Sequence, residues 1–375
     1  MAFPCDNTVE VVHDLLGVKI LKNGTVDRTH HDQIFPTSAA RMTVSDADES
    51  CGFTSARAAS KDVVIDPRTG LWVRIFLPAC KLTHHLSEAH SCNFTTPQPR
   101  LCTDESNKKL PVFLYFHGGG FVAASASSTL FHDFCSTISA KLRVIVVSVD
   151  YRLTPEHPLP AAFDDGFAAL KWVFLQLTRS ERKGEAEPWL SLHGDLSQII
   201  LFGHSSGSTI AHHVAIKVAD RDDNCDIPLH IISGIIMEVP FFGGRDRTES
   251  EKRDALVDGV SQMLLSDGFW AASLPRGADR SHPFCDFTST AAPNLNRLSL
   301  PPLLIIVGAL DPYYDRQMQY VELLKEAGQS VTLFDYQQYG HWIFFPEMEE
   351  RDRDEAYTRL TNFLAGLSAK ENICV

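Results

Sequence analysis

The sequence has no excess of basic residues and no long apolar run. Its 34 lysines and arginines are outnumbered by 47 aspartates and glutamates, giving a formal net charge of −13 at pH 7. Because no Lys/Arg cluster offsets this charge, we exclude a nucleic-acid-binding surface. No apolar run reaches the roughly 18 residues of a membrane-spanning helix. Asp6, Glu10 and Asp14 stand where a signal peptide would be basic and then apolar. We therefore expect a soluble cytoplasmic protein, with the nucleus as a second location and no membrane partner.

Cysteine pairs with metal-binding or redox spacing are also absent. The nine cysteines are scattered, and none forms a C-x-x-C motif. An odd number without such spacing predicts reduced thiols rather than a disulfide framework or a zinc site. Sixteen histidines are present, but adjacent pairs such as His30–His31 and His212–His213 direct their side chains differently. We therefore predict no bound metal.

The sequence has no internal repeat or low-complexity segment; it alternates apolar strands with amphipathic helices. Short apolar runs predict strands buried on both faces, at residues 110–116, 144–149, 198–202, 231–237, 303–307 and 331–336. Helical spacing predicts helices at 130–142, 160–176, from 208 onward, and at 264–272, 315–327 and 354–367. This alternation is typical of a parallel sheet. A hairpin over 61–78 predicts an antiparallel edge, so we expect an α/β fold: a mostly parallel eight-stranded sheet with helices on both faces.

Three segments fall outside this alternation. Residues 1–60 are polar loops, with a helix predicted at 9–16 and a turn at 22–25. Residues 79–109 lack periodicity and predict a flexible surface insertion. Residues 245–290 interrupt the alternation beyond a strand end, where a lid usually lies. We interpret the 375 residues as a single domain with a lid.

Residues 203–207, Gly-His-Ser-Ser-Gly, fit the G-x-S-x-G motif. Since a strand is predicted before the motif and a helix after it, the chain must reverse within about four residues. Glycines are needed at both ends because a Cβ there would clash. Such a turn exposes the hydroxyl of Ser205 on a strained backbone, which indicates a nucleophile.

A serine hydroxyl is a weak nucleophile at neutral pH, so it needs a base and a group that orients the base. Asp311 follows the strand predicted at 303–307, and His341 follows the one at 331–336. Parallel strands end at one edge of a sheet, and the chain order Ser, Asp, His is that of the α/β-hydrolase scaffold. Taken singly, His341 is also consistent with a structural histidine, and Asp311 with a cap of the helix that follows it. Asp315 is an alternative to Asp311 as the acid of the triad. Jointly, the pattern predicts a triad of Ser205, His341 and Asp311.

Three consecutive glycines, Gly118, Gly119 and Gly120, follow the strand at 110–116. Alone, they are equally consistent with tight backbone packing and with amides that face an anion. Acyl transfer creates an oxyanion that needs fixed donors, so the predicted triad favours the second interpretation. The amides of Gly119 and Gly120 are predicted donors, positioned by Gly118. The amide of Ser206, after the nucleophile, is the third.

The acyl or alcohol pocket is predicted from location only. Its candidates are apolar residues of a kind found more often in cores: Phe121, Val122, Phe241, Phe242, Trp270 and Ile343. The chemistry needs no metal and no organic cofactor. The expected partner is a small-molecule ester, and the sequence leaves both a monomer and a homodimer open.

Several motifs resemble those of plant carboxylesterases of the hormone-sensitive-lipase class, within the α/β-hydrolase superfamily. Phe-His-Gly-Gly-Gly-Phe at 116–121 matches the family's oxyanion motif. Val-Asp-Tyr-Arg-Leu-Thr-Pro-Glu-His at 149–157 matches its second signature. The stretches 210–213, 241–244 and 311–312 resemble the plant branch in particular.

This resemblance implies a serine carboxylesterase that acts on a small apolar ester through an acyl-enzyme. It also implies that residues 1–60 join 245–290 in a cap over the active site. Asp150, Arg152 and Glu156 are then structural rather than catalytic.

The same plant group includes other functions. Residues 241–275 resemble esterases that hydrolyse strigolactones, so a hormone of that type is one expected substrate. The group's gibberellin receptors lack the triad histidine and carry serine for the last glycine of the oxyanion motif, whereas this chain has His341 and Gly120. A further branch dehydrates or cyclises without hydrolysis, and the sequence leaves it open.

The sequence departs from the family pattern beside the nucleophile. The family usually has an acidic residue before the serine and Gly-Asn after the elbow; this chain has His204, and then Ser208 and Thr209. We interpret His204 as pointing away from the oxyanion or as altering the local charge. Trp342 follows the predicted base where a small residue is common, and we expect it to narrow the pocket. These departures bear on catalytic efficiency rather than on reaction type.

Overall fold

The computed structural model describes residues 10–41, 58–81, 108–178, 186–220, 227–253, 256–257, 260–344 and 348–371. Most of the surface insertion predicted at 79–109 lies outside these residues. The strands are β1 (Val11–Leu15), β2 (Val18–Leu21), β3 (Val26–Asp27), β4 (Ala58–Asp66), β5 (Leu71–Pro78), β6 (Leu110–Phe116), β7 (Ile145–Asp150), β8 (Gly194–His204), β9 (Ile232–Glu238), β10 (Leu256–Val257), β11 (Val260–Ser261), β12 (Leu303–Gly308) and β13 (Val331–Tyr336). The helices are α1 (His31–Ile34), α2 (Thr129–Leu142), α3 (Ala161–Thr178), α4 (Pro188–His193), α5 (Ser206–Ala219), α6 (Glu249–Lys252), α7 (Gln262–Ser273), α8 (Tyr314–Glu326) and α9 (Glu350–Glu371).

The central sheet has eight strands in the order β13-β12-β9-β8-β6-β7-β5-β4. Neighbouring strands from β13 to β7 are parallel, while β5 pairs antiparallel with both β7 and β4. The predicted mostly parallel sheet with an antiparallel hairpin at its edge is therefore confirmed.

Helices cover both faces of this sheet because alternate strand residues point to opposite sides. Leu114 and Leu201 belong to the apolar cluster that includes residues of α3, α5 and α8. Tyr115 and Phe202 belong to a second cluster that includes residues of α2 and α9. The result is a three-layer α/β structure of the predicted class.

The N-terminal segment corrects one prediction. Residues 9–16 were expected to form a helix, but β1 pairs antiparallel with β2, and the link is made by Leu16 and Gly17 at φ 54° and 80°. The β-branched Val11 and Val12 favour the strand. The turn predicted at 22–25 is present, between β2 and β3.

The two segments predicted to form a cap contact each other. A Cβ added to Gly268 on α7 would lie 2.5 Å from Cδ2 of Leu15 on β1. Residues 58–60 of the first segment already belong to β4 of the central sheet. The last three residues of the cap segment predicted at 1–60 are therefore part of the central sheet.

Candidate active site

Ser205 lies in a tight turn between β8 and α5. Its φ of 52° and ψ of −119° belong to a region that L residues seldom adopt. An added Cβ on Gly203 would lie 2.2 Å from the carbonyl oxygen of Gly207, and one on Gly207 would lie 2.0 Å from a carbonyl oxygen at the end of β6. The amide of Ser205 donates to the Glu238 carbonyl at 2.9 Å. Ser208 Oγ donates to the Gly203 carbonyl at 2.6 Å, so this departure from the family pattern supports the turn.

The side chains of Ser205, His341 and Asp311 form a hydrogen-bonded chain. Nε2 of His341 lies 2.9 Å from Ser205 Oγ, and its Nδ1 lies 2.8 Å from Asp311 Oδ2. Asp311 is 1% exposed. Gln317 Nε2 donates to its Oδ2 at 2.8 Å, and the Tyr313 amide donates to its Oδ1 at 3.0 Å. These donors offset the lost hydration of the carboxylate.

Asp315, which competes for the acid role in the sequence, is engaged elsewhere. Its Oδ2 accepts from the Ser250 amide at 2.7 Å, and its own amide donates to Ser250 Oγ at 3.0 Å. Asp315 thus joins α8 to α6 of the 245–290 segment, while Asp311 contacts His341.

The oxyanion loop, defined here as residues 117–124, passes between the elbow and α7. Gly119 and Gly120 have φ values of 114° and 62°, in the region that favours glycine. A Cβ on Gly118 would lie 2.6 Å from Cδ2 of His204, and one on Gly120 would lie 2.4 Å from the Phe269 ring. The structure therefore supports tight packing, which is one of the two interpretations of these glycines. Tight packing does not conflict with the other interpretation, in which their amides face an anion.

Buried Tyr151 contacts the start of the oxyanion loop. Tyr151 Oη donates to the His117 carbonyl at 2.8 Å, and its ring stacks on the His117 imidazole with centroids 4.3 Å apart. Burial holds the pKa of Tyr151 well above its ordinary value. Burial lowers the pKa of His117 to about 4, so this imidazole is neutral at pH 7. As the first residue of α5, Ser206 has an amide without an acceptor inside the helix.

His204 is fully buried beside Glu238, at the end of β9. Its Nδ1 lies 3.3 Å from Glu238 Oε2, and its ring stacks on Trp342 with centroids 5.3 Å apart. Glu238 Oε1 accepts from the Phe344 amide at 3.1 Å. Burial lowers the pKa of His204, and Glu238 opposes that shift. A carboxylate from the neighbouring strand thus accompanies the unusual histidine, and the pair links the elbow to the loop that carries His341.

The predicted pocket residues are all buried, and half of them cluster near the triad. Phe241 stacks on Trp270 with centroids 4.8 Å apart, and Phe121 lies 5.5 Å from Trp270. The ring centroid of Tyr313 lies 5.3 Å from those of both Phe241 and His341, which connects this aromatic cluster to the predicted base. Val122 follows Phe121 and is also fully buried.

Phe242 and Ile343 pack elsewhere in the core. Phe242 packs against Tyr320 and Phe287 with centroids 4.8 Å and 5.1 Å away. Ile343 belongs to the apolar cluster on the opposite face of the central sheet from Phe121. The structure therefore favours packing roles for these two, and contact of any of the six residues with a substrate stays a prediction.

Within the described residues, no group of three or more His, Cys, Asp or Glu side chains is placed to hold a metal ion. Cys80, Cys135 and Cys285 carry free thiols, and the other six cysteines lie outside the described residues. No helix in the described part of the chain is long and apolar enough to cross a bilayer.

The sequence did not identify four polar residues that lie around the site: Tyr151, His117, Gln317 and Glu238. Tyr151 and His117 lie inside motifs that were noted, but only as family signatures. Gln317 and Glu238 carry no motif, and their proximity depends on strands that are distant in sequence.

Comparison with known proteins agrees with this geometry. A family model described as alpha/beta hydrolase fold matches residues 113–345. A 3-O-acetylpapaveroxine carboxylesterase of Papaver somniferum is 38% identical over 262 residues, covering 68% of this chain and 81% of that protein. A gibberellin receptor of Oryza sativa subsp. japonica is 38% identical over 278 residues, covering 73% of this chain and 72% of the receptor.

A solved esterase of Pyrobaculum calidifontis superposes with a TM-score of 0.62 at 24% identity, covering 82% of this chain and 85% of that one. At that identity the likeness shows the fold alone. The matches together confirm the resemblance to plant carboxylesterases and their relatives, and the chain belongs to the alpha/beta hydrolase fold family.

Proposed function

We propose that this protein is a serine carboxylesterase that hydrolyses small apolar esters. The observation that carries the proposal is the chain of hydrogen bonds from Ser205 through His341 to Asp311. The carboxylesterase relative supports it. Each residue follows a strand of the same parallel sheet, which is how this scaffold brings a nucleophile, a base and an acid together.

In the proposed reaction, Nε2 of His341 removes the proton from Ser205 Oγ as the oxygen attacks the ester carbonyl carbon. The amides of Gly119, Gly120 and Ser206 bind the resulting oxyanion. Collapse of this intermediate breaks the bond to the alcohol, which leaves with the proton from the imidazolium.

An acyl group then remains on Ser205. Water attacks it with His341 again acting as base, and the carboxylic acid is released. Asp311 keeps the imidazole in the required tautomer and stabilises its cation. The proposed steps use no metal and no organic cofactor.

The first experiment is esterase turnover. The purified protein is expected to release p-nitrophenol from short-chain p-nitrophenyl esters, and Ser205→Ala is expected to lower kcat by about a million-fold. Ser191→Ala, which changes a serine of α4, is the matched control with wild-type rates. Unchanged turnover in Ser205→Ala would contradict the mechanism.

A non-catalytic hormone receptor is the second candidate, because a gibberellin receptor is among the relatives. The esterase is favoured because this chain has both His341, 2.9 Å from Ser205 Oγ, and Gly120. A fluorophosphonate probe is expected to label Ser205 covalently. An inert serine together with tight gibberellin binding would instead support the receptor.

The substrate class is proposed to be small and apolar, with a strigolactone-type ester as one candidate. The aromatic cluster of Phe121, Phe241 and Trp270 beside Tyr313 supports an apolar ligand. Turnover of strigolactones, aryl esters and aliphatic esters, followed by product analysis, will rank these classes. Product analysis also separates hydrolysis from dehydration or cyclisation on the same scaffold. A cytoplasmic location, with the nucleus as a second, is part of this proposal, and imaging of a fluorescent fusion tests it.

A further inference from the structure

Three side chains from the predicted cap segments reach the oxyanion loop, and each contacts an alternate residue of it. They are Ser273 on Gly120, Arg28 on Val122 and His31 on Ala124. The first comes from the 245–290 segment and the other two from the N-terminal segment. The loop proposed to bind the oxyanion is therefore held from outside the catalytic core.

Arg28 makes the most extensive of these contacts. Its Nη1 donates to the Val122 carbonyl at 2.6 Å, and its Nη2 donates to the Thr154 carbonyl at 2.9 Å. Nε and Nη2 also donate to the two carboxylate oxygens of Glu156, both at 2.8 Å. One guanidinium thus joins the N-terminal segment to two separate loops of the core. A planar group with several fixed donors makes such a set of directed bonds, which an ammonium group does not reproduce.

The other two contacts flank this one. Nε2 of His31 accepts from the Ala124 amide at 2.8 Å. Ser273 Oγ lies 3.5 Å from the Gly120 carbonyl and 2.8 Å from Thr154 Oγ1. Both residues are buried, with His31 8% and Ser273 0% exposed.

The backbone of the oxyanion loop explains why external contacts matter. Phe121 and Ala124 have φ values of 65° and 69°, which are strained for residues with a Cβ. Such conformations persist only where the surroundings over-determine them. Arg28 holds the carbonyl of Val122, next to Phe121, and His31 holds the amide of Ala124 itself.

We infer that Arg28 is a positioning residue for the oxyanion hole. Its guanidinium hydrogen-bonds the N-terminal segment to the oxyanion loop and to residues 154–156. These bonds fix the direction of the Gly119 and Gly120 amides. The kinetic consequence rests on the proposed esterase function, whereas the effect on loop order does not. Because the oxyanion develops as the serine attacks and is absent from the bound ester, loosening its donors lowers kcat and leaves KM nearly unchanged.

The test compares Arg28→Ala and Arg28→Lys with Lys22→Ala. Lys22 belongs to the same N-terminal segment, but its ion pair with Glu10 is 71% and 70% exposed. With a p-nitrophenyl ester, we expect kcat of Arg28→Ala to fall about 10- to 100-fold, less than for the outright loss of an oxyanion donor. KM is expected to stay within about threefold. Arg28→Lys is expected to recover only a minor part of the loss, and Lys22→Ala to match the wild type.

Amide hydrogen exchange provides a readout that does not need turnover. Peptides covering residues 117–124 are expected to exchange faster in Arg28→Ala than in the wild type or Lys22→Ala. Glu156→Gln keeps a hydrogen-bond acceptor but removes the charge, and it is expected to show the same faster exchange to a smaller degree. This variant replaces Arg28→Ala in the test if Arg28→Ala does not fold.

The outcomes separate the two proposals. Wild-type kcat together with unchanged exchange in Arg28→Ala would overturn the inference while leaving the esterase intact. Full recovery by Arg28→Lys would also overturn it, since positive charge alone would then suffice. If the wild type has no esterase activity and Ser205 is inert, the proposed function fails, and the exchange difference still decides whether Arg28 orders the loop.

Discussion

At the residue scale, the carboxylate of Asp311 is surrounded by donors. It accepts from Gln317 and from the Tyr313 amide, and its Oδ2 lies 2.8 Å from Nδ1 of His341. In the proposed mechanism, this carboxylate fixes the tautomer of His341 and stabilises the imidazolium. The adjacent carboxylate of Asp315 binds Ser250 instead.

We predict that Asp311→Asn lowers kcat about 10,000-fold with little change in stability, because asparagine keeps the volume but not the charge. Steady-state kinetics on a p-nitrophenyl ester measures the effect. Asp315→Asn is the matched control, because Asp315 lies four residues further along the chain, in the first turn of α8. It is expected to retain most of the activity. The reverse ranking would show that Asp315 is the acid.

The residues of the predicted triad could be proposed from sequence because each lies shortly after a predicted strand, and the structure brings their side chains within hydrogen-bond distance of one another. Glu238 could not, since it closes an apolar strand, and its contact with His204 arises only when β8 and β9 pair. His204 itself was noted as unusual, but its buried partner had no sequence signal. Residue types near a motif are readable from sequence, whereas contacts across strands depend on register.

At the scale of elements, the strand-turn-helix of β8 and α5 depends on two glycines without room for a side chain. Gly207 approaches a carbonyl oxygen at the end of β6 so closely that a Cβ would lie 2.0 Å from it. Such an overlap cannot be relieved by a rotamer change, because the clashing atom is backbone.

We predict that Gly207→Ala is severely destabilising, by about 3 kcal/mol or more, since the elbow must move away from β6. Gly366→Ala in α9 is the matched control, because an added Cβ there meets nothing within 4 Å. That variant is expected to gain up to about 1 kcal/mol from helix propensity. Urea unfolding of both proteins measures the difference, and equal stability would contradict the tight elbow.

The parallel strands of the central sheet were predictable because they are short, mostly apolar runs that alternate with segments of helical spacing. β1 was not: its residues satisfy a short helical pattern, and only pairing with β2 makes them a strand. Hydrogen bonds to another strand make this segment a β-strand, and such bonds cannot be predicted from the spacing of apolar residues within the segment.

At the scale of the whole molecule, buried ionisable groups couple stability to pH. Burial lowers the pKa of His117 to about 4 and holds the pKa of His212 well below its ordinary value. The unfolded chain therefore binds protons first, and stability is lost as pH falls from about 6.5 towards 4. Asp150 acts in the opposite sense, because burial raises the pKa of its carboxyl to about 6.

We predict that the free energy of unfolding is lower at pH 5.5 than at pH 7.5, by about 1 kcal/mol for each buried neutral histidine. Asp150→Asn is expected to steepen this fall, because it removes a group that opposes it and keeps an acceptor for the Ala126 amide. Urea unfolding at the two pH values checks both statements. Equal or greater wild-type stability at pH 5.5 would contradict them.

The position of His341 has a consequence for how such proteins diversify. β13 is the outermost strand of the central sheet, and His341 lies in the loop after it, whereas Ser205 and the oxyanion loop follow strands near the centre. If His341 is the base, as proposed, a single codon change at 341 would abolish that role while leaving the turn that carries Ser205 and the residues around it in place. The product would be a binding protein with an inert serine. On the proposed function, one substitution would thus convert an ester hydrolase into a protein that binds the same small molecule without turning it over.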